Sequence, residues 1–118
     1  MLSFPSSVRV FLCIPPADMR RSFDGLGRMA ESVIREDPFS GSLFVFRNRR
    51  RDRLKVLYWD RDGYAIWYKR LEEGTYQFPE IREGVDRLEI AASDLLVLLE
   101  GIDLRKVKRL KRYQRKPG

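Results

Sequence analysis

The sequence predicts an α+β domain, and three observations lead to that prediction. A β-branched and aromatic run stands alone near the N-terminus, an amphipathic helical pattern follows it, and three strand-like runs joined by very short loops come next. Such short loops permit only antiparallel pairing, because a parallel connection needs a crossover of about a dozen residues or more. We therefore expect an antiparallel β-meander of about four to five strands, with an N-terminal amphipathic helix and a short C-terminal helix on one face of the sheet.

The N-terminal third is predicted to be a strand followed by a helix. Val8–Ile14 is rich in strand-forming residues and is stopped by two prolines. Asp18 is the expected N-cap of the helix. Gly25 and Gly27 each cost about 1 kcal/mol in a helix, so we expect close packing against the sheet to require them. Apolar residues at helical spacing form one face, namely Met19, Phe23, Leu26, Ala30, Val33 and Ile34.

The meander is predicted at Ser42–Asn48, Arg53–Asp60 and Tyr64–Arg70. The Asp-Gly pair that precedes Tyr64 is a strong hairpin signal. Side chains alternate between the two faces of a strand, and here both faces carry apolar residues. One face is expected to be core, so the other needs a cover or a partner.

The C-terminal third is predicted to contain a fourth strand and a short helix. Thr75–Phe78 is the expected strand, ended by Pro79. A short apolar segment, Leu88–Ile90, precedes a helix that Ser93 can cap and Gly101 can stop. Residues 1–104 are thus expected to form a single domain.

The positive charge of the chain is concentrated at its C-terminus. The net charge is +7, and residues 105–118 hold eight cations and no carboxylate. The other 104 residues carry 16 Lys+Arg and 17 Asp+Glu, so a nearly neutral domain precedes a basic tail that we expect to be flexible. Such a block of like charge is typical of an arm that binds nucleic acid, and a solvated C-terminal run that only aids solubility is the alternative. Its cations are Arg105, Lys106, Lys108, Arg109, Lys111, Arg112, Arg115 and Lys116.

A second basic cluster surrounds the first hairpin turn, where five arginines occupy seven positions and only Asp52 offsets them. The guanidinium group is a planar fork that suits phosphate, so these arginines are candidate phosphate contacts. They are Arg47, Arg49, Arg50, Arg51 and Arg53. An exposed arginine-rich turn without a ligand is the alternative.

The strands also offer a candidate partner surface. Trp59 or Trp67, beside Lys55 and Lys69 on the strands, could stack on bases or hold a partner protein. The alternative is that a helix, the first strand or a second copy of the chain covers these aromatic residues.

The residues give no support for catalysis. The chain has no histidine, and its one cysteine, Cys13, lies in an apolar strand where thiols are usually inert. The acids are scattered rather than grouped as a two-metal site requires, and no glycine-rich phosphate loop occurs. We therefore expect no catalytic residue, no metal and no cofactor. The sequence lacks a signal-peptide pattern and an apolar run of about 20 residues, so we expect a cytoplasmic protein with no membrane contact.

Five segments, in order, resemble the TnpB (Orf2-like) accessory proteins of the IS66 family of bacterial insertion sequences. ADMRRSFDGL resembles that family's TDMRKGFDGL, and DPFSGSLFVFRNRR resembles DPFSGHLFVFRGRR; KVLYWD with a following glycine, KRLEEG and LLEGID match further segments. These stretches begin at Ala17, Asp37, Lys55, Lys69 and Leu98. The chain departs from the pattern at Ala17, Ser22 and Ser42, where the family has Thr, Gly and His.

The resemblance implies an accessory role in DNA transposition, beside a large transposase and a second small protein of the same element. Combined with the basic clusters, it leads us to expect non-catalytic binding to DNA at the transposon ends. A protein–protein adaptor for the transposase and an RNA-binding regulator are the alternatives. Self-association of the chain is left open.

Overall fold

The computed structural model describes residues 4–101, which form a five-stranded sheet and two helices, as the predicted α+β class requires. The strands are β1 (Val10–Cys13), β2 (Leu43–Arg47), β3 (Arg53–Asp60), β4 (Gly63–Arg70) and β5 (Arg87–Ile90). The helices are α1 (Phe23–Met29), which continues as a π-helical segment at Ala30–Ile34, and α2 (Ala92–Leu99). The predicted tail, residues 105–118, lies outside the described residues.

The sheet order is β4-β3-β2-β1-β5. Strands β2, β3 and β4 form the antiparallel meander that the short loops predicted. Strand β1 lies parallel to β2, and α1 with its π-helical continuation provides the crossover between them. Strand β5 then pairs antiparallel with the other side of β1. The sheet is therefore mixed, with one parallel pair at its centre.

Thr75–Phe78 is not a strand, so that prediction is wrong. Tyr76 and Phe78 are buried and join the core on one face of the sheet, and the Tyr76 N–H donates to the carbonyl of Arg51 at 2.7 Å. Tyr76 and Phe78 are buried against the sheet, whereas Thr75 and Gln77 are only partly buried. This alternation of apolar and polar residues is the pattern of a half-buried strand, which explains the error. The apolar segment Leu88–Ile90 belongs to a strand instead, β5.

The two helices pack on opposite faces, and the expectation that they share a face is also wrong. Helix α1 and the π-helical segment cover the face that carries Phe11, Phe44 and Leu57. Helix α2 and the segment containing Tyr76 cover the other face. The central strands β1 and β2 are buried on both faces, so each face needs its own cover.

Helix α1 begins later than the sequence predicted. It starts at Phe23, after Ser22, and Asp18 instead closes a turn by accepting a hydrogen bond from the Arg20 N–H at 2.8 Å. An Asx turn is a common alternative use of an aspartate before a helix. Neither helix among residues 4–101 has the length and apolar character needed to cross a membrane.

Gly27 permits a close approach of α1 to β4, as expected for one of the two helical glycines. A Cβ atom built at Gly27 would lie 2.8 Å from the hydroxyl oxygen of Tyr64. Gly27→Ala is therefore expected to lower the free energy of unfolding by about 1 kcal/mol, since overpacking outweighs the gain in helix propensity. Urea denaturation measures this.

Two controls accompany the Gly27 variant. Gly63→Ala should be neutral, because a Cβ there meets nothing within 4 Å. Removing the hydroxyl group in Gly27→Ala/Tyr64→Phe should recover most of the lost stability. An unchanged loss in the double variant would contradict the proposed contact.

Candidate nucleic-acid interface

A concave cleft of about 690 Å³ lies between two chain segments, the loop 16–21 and the β2–β3 hairpin turn. The loop precedes α1, and the turn joins the two strands that carry the arginine cluster. Both segments belong to stretches that carry the family resemblance. The cleft contains five arginines and two aspartates, Arg20, Arg21, Arg49, Arg50, Arg53, Asp18 and Asp52, together with Pro16, Ala17, Met19, Met29 and Asn48.

Backbone hydrogen bonds hold the loop beside the sheet. The Ala17 N–H donates to the carbonyl of Arg47 at 2.9 Å, which ties the loop to the end of β2. The Arg21 N–H donates to the carbonyl of Asp18 at 3.0 Å, which closes the turn. The loop therefore presents Arg20 and Arg21 from a hydrogen-bonded scaffold.

Lys55 is the residue that positions this loop, and the sequence analysis missed that role. Its ammonium group, on β3, donates to the carbonyls of Met19 and Arg21 at 2.7 and 2.8 Å. Lys55 is only 7% exposed, and its Nζ also lies 4.7 Å from the centre of the Tyr68 ring. The ammonium group of lysine has three N–H donors and no acceptor. Lys55 therefore attaches the loop 16–21 to β3 through these hydrogen bonds.

The opposite wall of the cleft is organised by Asn48. Its Oδ1 accepts from the Arg53 N–H at 3.0 Å, and its Nδ2 donates to Asp52 Oδ1 at 2.7 Å. Arg51 has a left-handed backbone with φ of 65°, a conformation that Asn48 and Asp52 stabilise from both sides of the turn. The hairpin therefore presents Arg49 and Arg50 from a closed turn.

Both aspartates of the cleft are held ionised. The hydrogen bond from the Arg20 guanidinium lowers the pKa of Asp18 to about 2, and the side-chain hydrogen bond from Asn48 lowers the pKa of Asp52. Asp18 pairs with Arg20 at 2.6 Å, so it offsets that arginine. Arg21, Arg49 and Arg50 make no side-chain hydrogen bond or ion pair with any residue in 4–101.

The structure divides the five predicted hairpin arginines into groups. Arg49, Arg50 and Arg53 line the cleft, and Arg51 is exposed at the turn outside it. Arg47 differs from them because its side chain turns to the α2 face of the sheet. There its guanidinium donates to the Tyr76 carbonyl at 2.9 Å and stacks 3.8 Å from the centre of the Phe78 ring.

Arg47 therefore contributes to the packing of the fold. Burial, with a smaller effect from nearby Arg51, lowers the pKa of Arg47 to about 10. Arg47→Gln is expected to lower the free energy of unfolding by about 1.5 kcal/mol, since it removes a hydrogen bond and a cation–π contact. Arg49→Gln should leave stability unchanged, and guanidinium denaturation of the two variants tests the contrast. Equal stability of both variants would contradict this assignment.

The basic residues of 105–118 lie outside the described part of the chain, but the point where that part ends is informative. Gly101 packs against Leu71, with a Cβ position 3.5 Å from a Leu71 methyl group. The Leu71 N–H donates to the carbonyl of Asp52 at 2.8 Å. The described part of the chain thus ends near the same end of the sheet as the cleft.

The two tryptophans cannot form a single partner surface, so the idea of a joint Trp59/Trp67 face is corrected. Trp67 pairs with Val56 across the strands and packs on the α2 face. Trp59 pairs with Tyr64 on the α1 face, where both rings contact Phe39. Side chains alternate along a strand, and in the observed register Trp67 is opposite Val56, three residues before Trp59. Trp59 and Trp67 therefore lie on opposite faces of the sheet. Only a register shifted by one residue would place them on the same face.

The cysteine thiol and the acidic side chains are candidate reactive groups among residues 4–101. Burial, and to a lesser extent Asp86, raises the pKa of the Cys13 thiol to about 12, so the thiolate is absent near neutral pH. Within residues 4–101, no three His, Cys, Asp or Glu side chains are placed to hold a metal ion.

Comparison with known proteins places these features in a family context. Residues 8–109 match the family described as "IS66 Orf2 like protein". The chain is 35% identical over 109 residues to "Uncharacterized protein y4jC" of Sinorhizobium fredii (strain NBRC 101917 / NGR234), covering 92% of each chain. It is 36% identical over 105 residues to "Uncharacterized protein y4hO" of the same strain, covering 89% of this chain and 90% of the relative. No solved structure matches.

Proposed function

Because the chain belongs to the IS66 Orf2-like family of insertion-sequence accessory proteins, we propose that it assists transposition by binding DNA phosphates without catalysing a reaction. The five signature segments already predicted this family. Binding takes place in the cleft between the loop 16–21 and the β2–β3 turn. The basic residues of 105–118 add contacts beside it.

One observation carries the proposal. Arg21 on one wall of the cleft, and Arg49 and Arg50 on the other, make no side-chain hydrogen bond or ion pair among residues 4–101, although Asp18 and Asp52 lie near enough to interact electrostatically with Arg21 and Arg50. Three guanidinium groups that line one concave surface without an ion pair of their own favour a polyanionic ligand. Asp18 and Asp52 reduce the positive charge of the cleft but do not cancel it.

Contacts to phosphate position a protein on the DNA but do not read the base sequence. Arginine can bind the phosphate oxygens bidentately, whereas reading a base sequence requires an element that enters a groove. No described helix extends freely from the domain, since α1 and α2 each cover a face of the sheet. The proposed role is therefore to grip the DNA backbone while other proteins of the element supply specificity and chemistry.

A gel-shift series across salt concentrations tests the proposal. If about six cations contact duplex phosphates, log affinity should fall against log salt with a slope near −5. Arg49→Gln/Arg50→Gln should reduce that slope by about 2. The matched control is Arg61→Gln/Arg82→Gln, which removes two exposed arginines elsewhere and should change the slope much less. Absence of duplex binding at low salt would refute the proposal.

Partners of other kinds are separable in the same set of measurements. Association with the transposase is part of an accessory role, and a pull-down of tagged chain with the other proteins of the element tests it. An adaptor function predicts a complex that survives nuclease treatment and neutralisation of the basic residues 105–116. An RNA-binding regulator predicts that single-stranded RNA displaces the duplex.

A further inference from the structure

Three aromatic rings form a partly exposed platform at the end of the sheet opposite the cleft. Phe39 lies edge-on to Trp59 at 5.0 Å and stacks on Tyr64 at 5.5 Å, and Trp59 and Tyr64 are edge-on at 5.3 Å. We call Phe39, Trp59 and Tyr64 the aromatic platform. Phe39 is 56% exposed, which is unusual for a phenylalanine that already has two ring partners. Exposed aromatic clusters are typical of interaction surfaces.

The location of the platform is set by the strand register. Trp59 pairs with Tyr64 next to the β3–β4 turn, whereas Arg53 pairs with Arg70 at the cleft end of the same two strands. Strand β4 is also the edge of the sheet. A chain segment can therefore follow this edge from one end of the domain to the other without displacing either helix.

Carboxylates surround the platform. Asp24, Glu31 and Asp37 lie close enough to Tyr64 to contribute, after burial, to raising the pKa of its hydroxyl. Asp60 and Asp62 belong to the adjacent turn, which also carries one cation, Arg61. Within residues 4–101, only Asp37 of these five acids makes a side-chain contact, by accepting the N–H of Phe39 at 2.9 Å.

The chemistry of this surface specifies a cationic ligand. The face of an aromatic ring attracts ammonium and guanidinium groups, and the carboxylates add electrostatic complementarity. A polyanion such as DNA is repelled. The fitting partner is thus a lysine- and arginine-rich peptide segment.

We propose that the aromatic platform binds the chain's own basic segment, Arg105–Lys116. That segment has eight cations and no acid. The described chain ends at Gly101 against Leu71, and β4 covers the roughly 23 Å from Leu71 back to Tyr64 at about 3.3 Å per residue. The ten residues 102–111 can span up to about 33 Å, so the segment can reach the platform within one molecule.

Occupation of the platform has a consequence that rests on the proposed DNA function. The same cations cannot contact phosphates and the platform together, so DNA must displace the segment. The resting chain then binds DNA more weakly than its charge alone would allow.

Peptide binding tests the docking directly. The protein is the 118-residue chain with Arg109, Lys111, Arg112 and Arg115 changed to Gln, and the probe is a fluorescein-labelled peptide of natural sequence 105–118. We expect saturable binding by fluorescence anisotropy, weakened about tenfold or more by Phe39→Ser or by Asp24→Asn/Glu31→Gln. The controls are Leu96→Ser, an exposed apolar residue on α2, and Glu73→Gln/Glu83→Gln, and they should have little effect. Equal binding by all five proteins would overturn the docking.

DNA affinity then tests whether the segment occupies the platform in its own molecule. In the natural 118-residue chain, Phe39→Ser is expected to raise duplex affinity about fivefold, the equivalent of losing one favourable surface contact. This substitution leaves the net charge unchanged, so charge cannot explain a gain. An unchanged DNA affinity would overturn occupation within one molecule. A chain that binds the peptide but no DNA would refute the proposed function and leave the docking supported.

Discussion

Replacing Lys55 with methionine is expected to lower the free energy of unfolding by about 3 kcal/mol, since two charge-assisted hydrogen bonds are lost in a buried site. The carbonyls of Met19 and Arg21 accept the Lys55 ammonium at 2.7 and 2.8 Å. Methionine has a similar length and fills the space without donating. The variant should also bind DNA more weakly, because the loop that presents Arg21 loses its attachment to β3.

Lys69→Met is the matched control for this prediction. Lys69 lies on β4, is half-buried, and makes one hydrogen bond, at 3.2 Å to the carbonyl of Leu99. We expect a loss of about 1 kcal/mol and little change in the affinity of the cleft for DNA. Denaturant titration measures the stability of each variant. DNA binding is then measured at a temperature where both variants are folded, which separates the change in DNA affinity from the change in stability. Equal losses of stability in the two variants would contradict the role assigned to Lys55.

Neutralising the C-terminal basic segment is expected to have the largest effect on DNA affinity. Changing Lys106, Lys108, Arg109 and Lys111 to Gln should reduce the salt slope by up to about 3.6, at about 0.9 for each phosphate contact. At low salt we expect the affinity for duplex DNA to fall about a hundredfold or more. We expect the free energy of unfolding to change by no more than about 0.5 kcal/mol.

A double comparison shows whether the segment and the cleft act on the same DNA molecule. The segment variant is combined with Arg49→Gln/Arg50→Gln, and the salt slopes of all four proteins are measured. Independent contacts to one duplex predict that the slope changes add. If the segment variant alone abolishes the salt dependence, the cleft makes no phosphate contact and the proposed function reduces to the segment.

The two charged ends of the domain suggest how a small accessory protein can be regulated without an enzyme. Arg21, Arg49 and Arg50, which make no ion pair within residues 4–101, lie at the β2–β3 end, and carboxylates lie near the aromatic platform at the β3–β4 end. The cations of residues 105–116 would be repelled by the β2–β3 end and attracted by the β3–β4 end. DNA would have the opposite preference, so the distribution of charge favours exchange between two states over simultaneous binding.

The sequence by itself determined the features that depend on neighbouring residues. The meander β2-β3-β4 follows from loops too short for any other pairing, and the alternation along β3 and β4 follows from strand geometry. The requirement for glycine near Gly27 could be anticipated because glycine is costly in a helix. The family could be read from ordered segments, and the concentration of cations in 105–118 from composition.

Only the tertiary structure decided which distant residues meet. It inserted β1 between β2 and β5, placed the helices on opposite faces, and buried Tyr76 and Phe78 where a strand was predicted. It turned Arg47 toward Tyr76 and Phe78, attached the loop 16–21 to Lys55, and placed Trp59 and Trp67 on opposite faces of the sheet. The physical reason is that local preferences are weak and short in range. Packing of both sheet faces and pairing of buried polar groups select one long-range arrangement, and that arrangement creates the cleft.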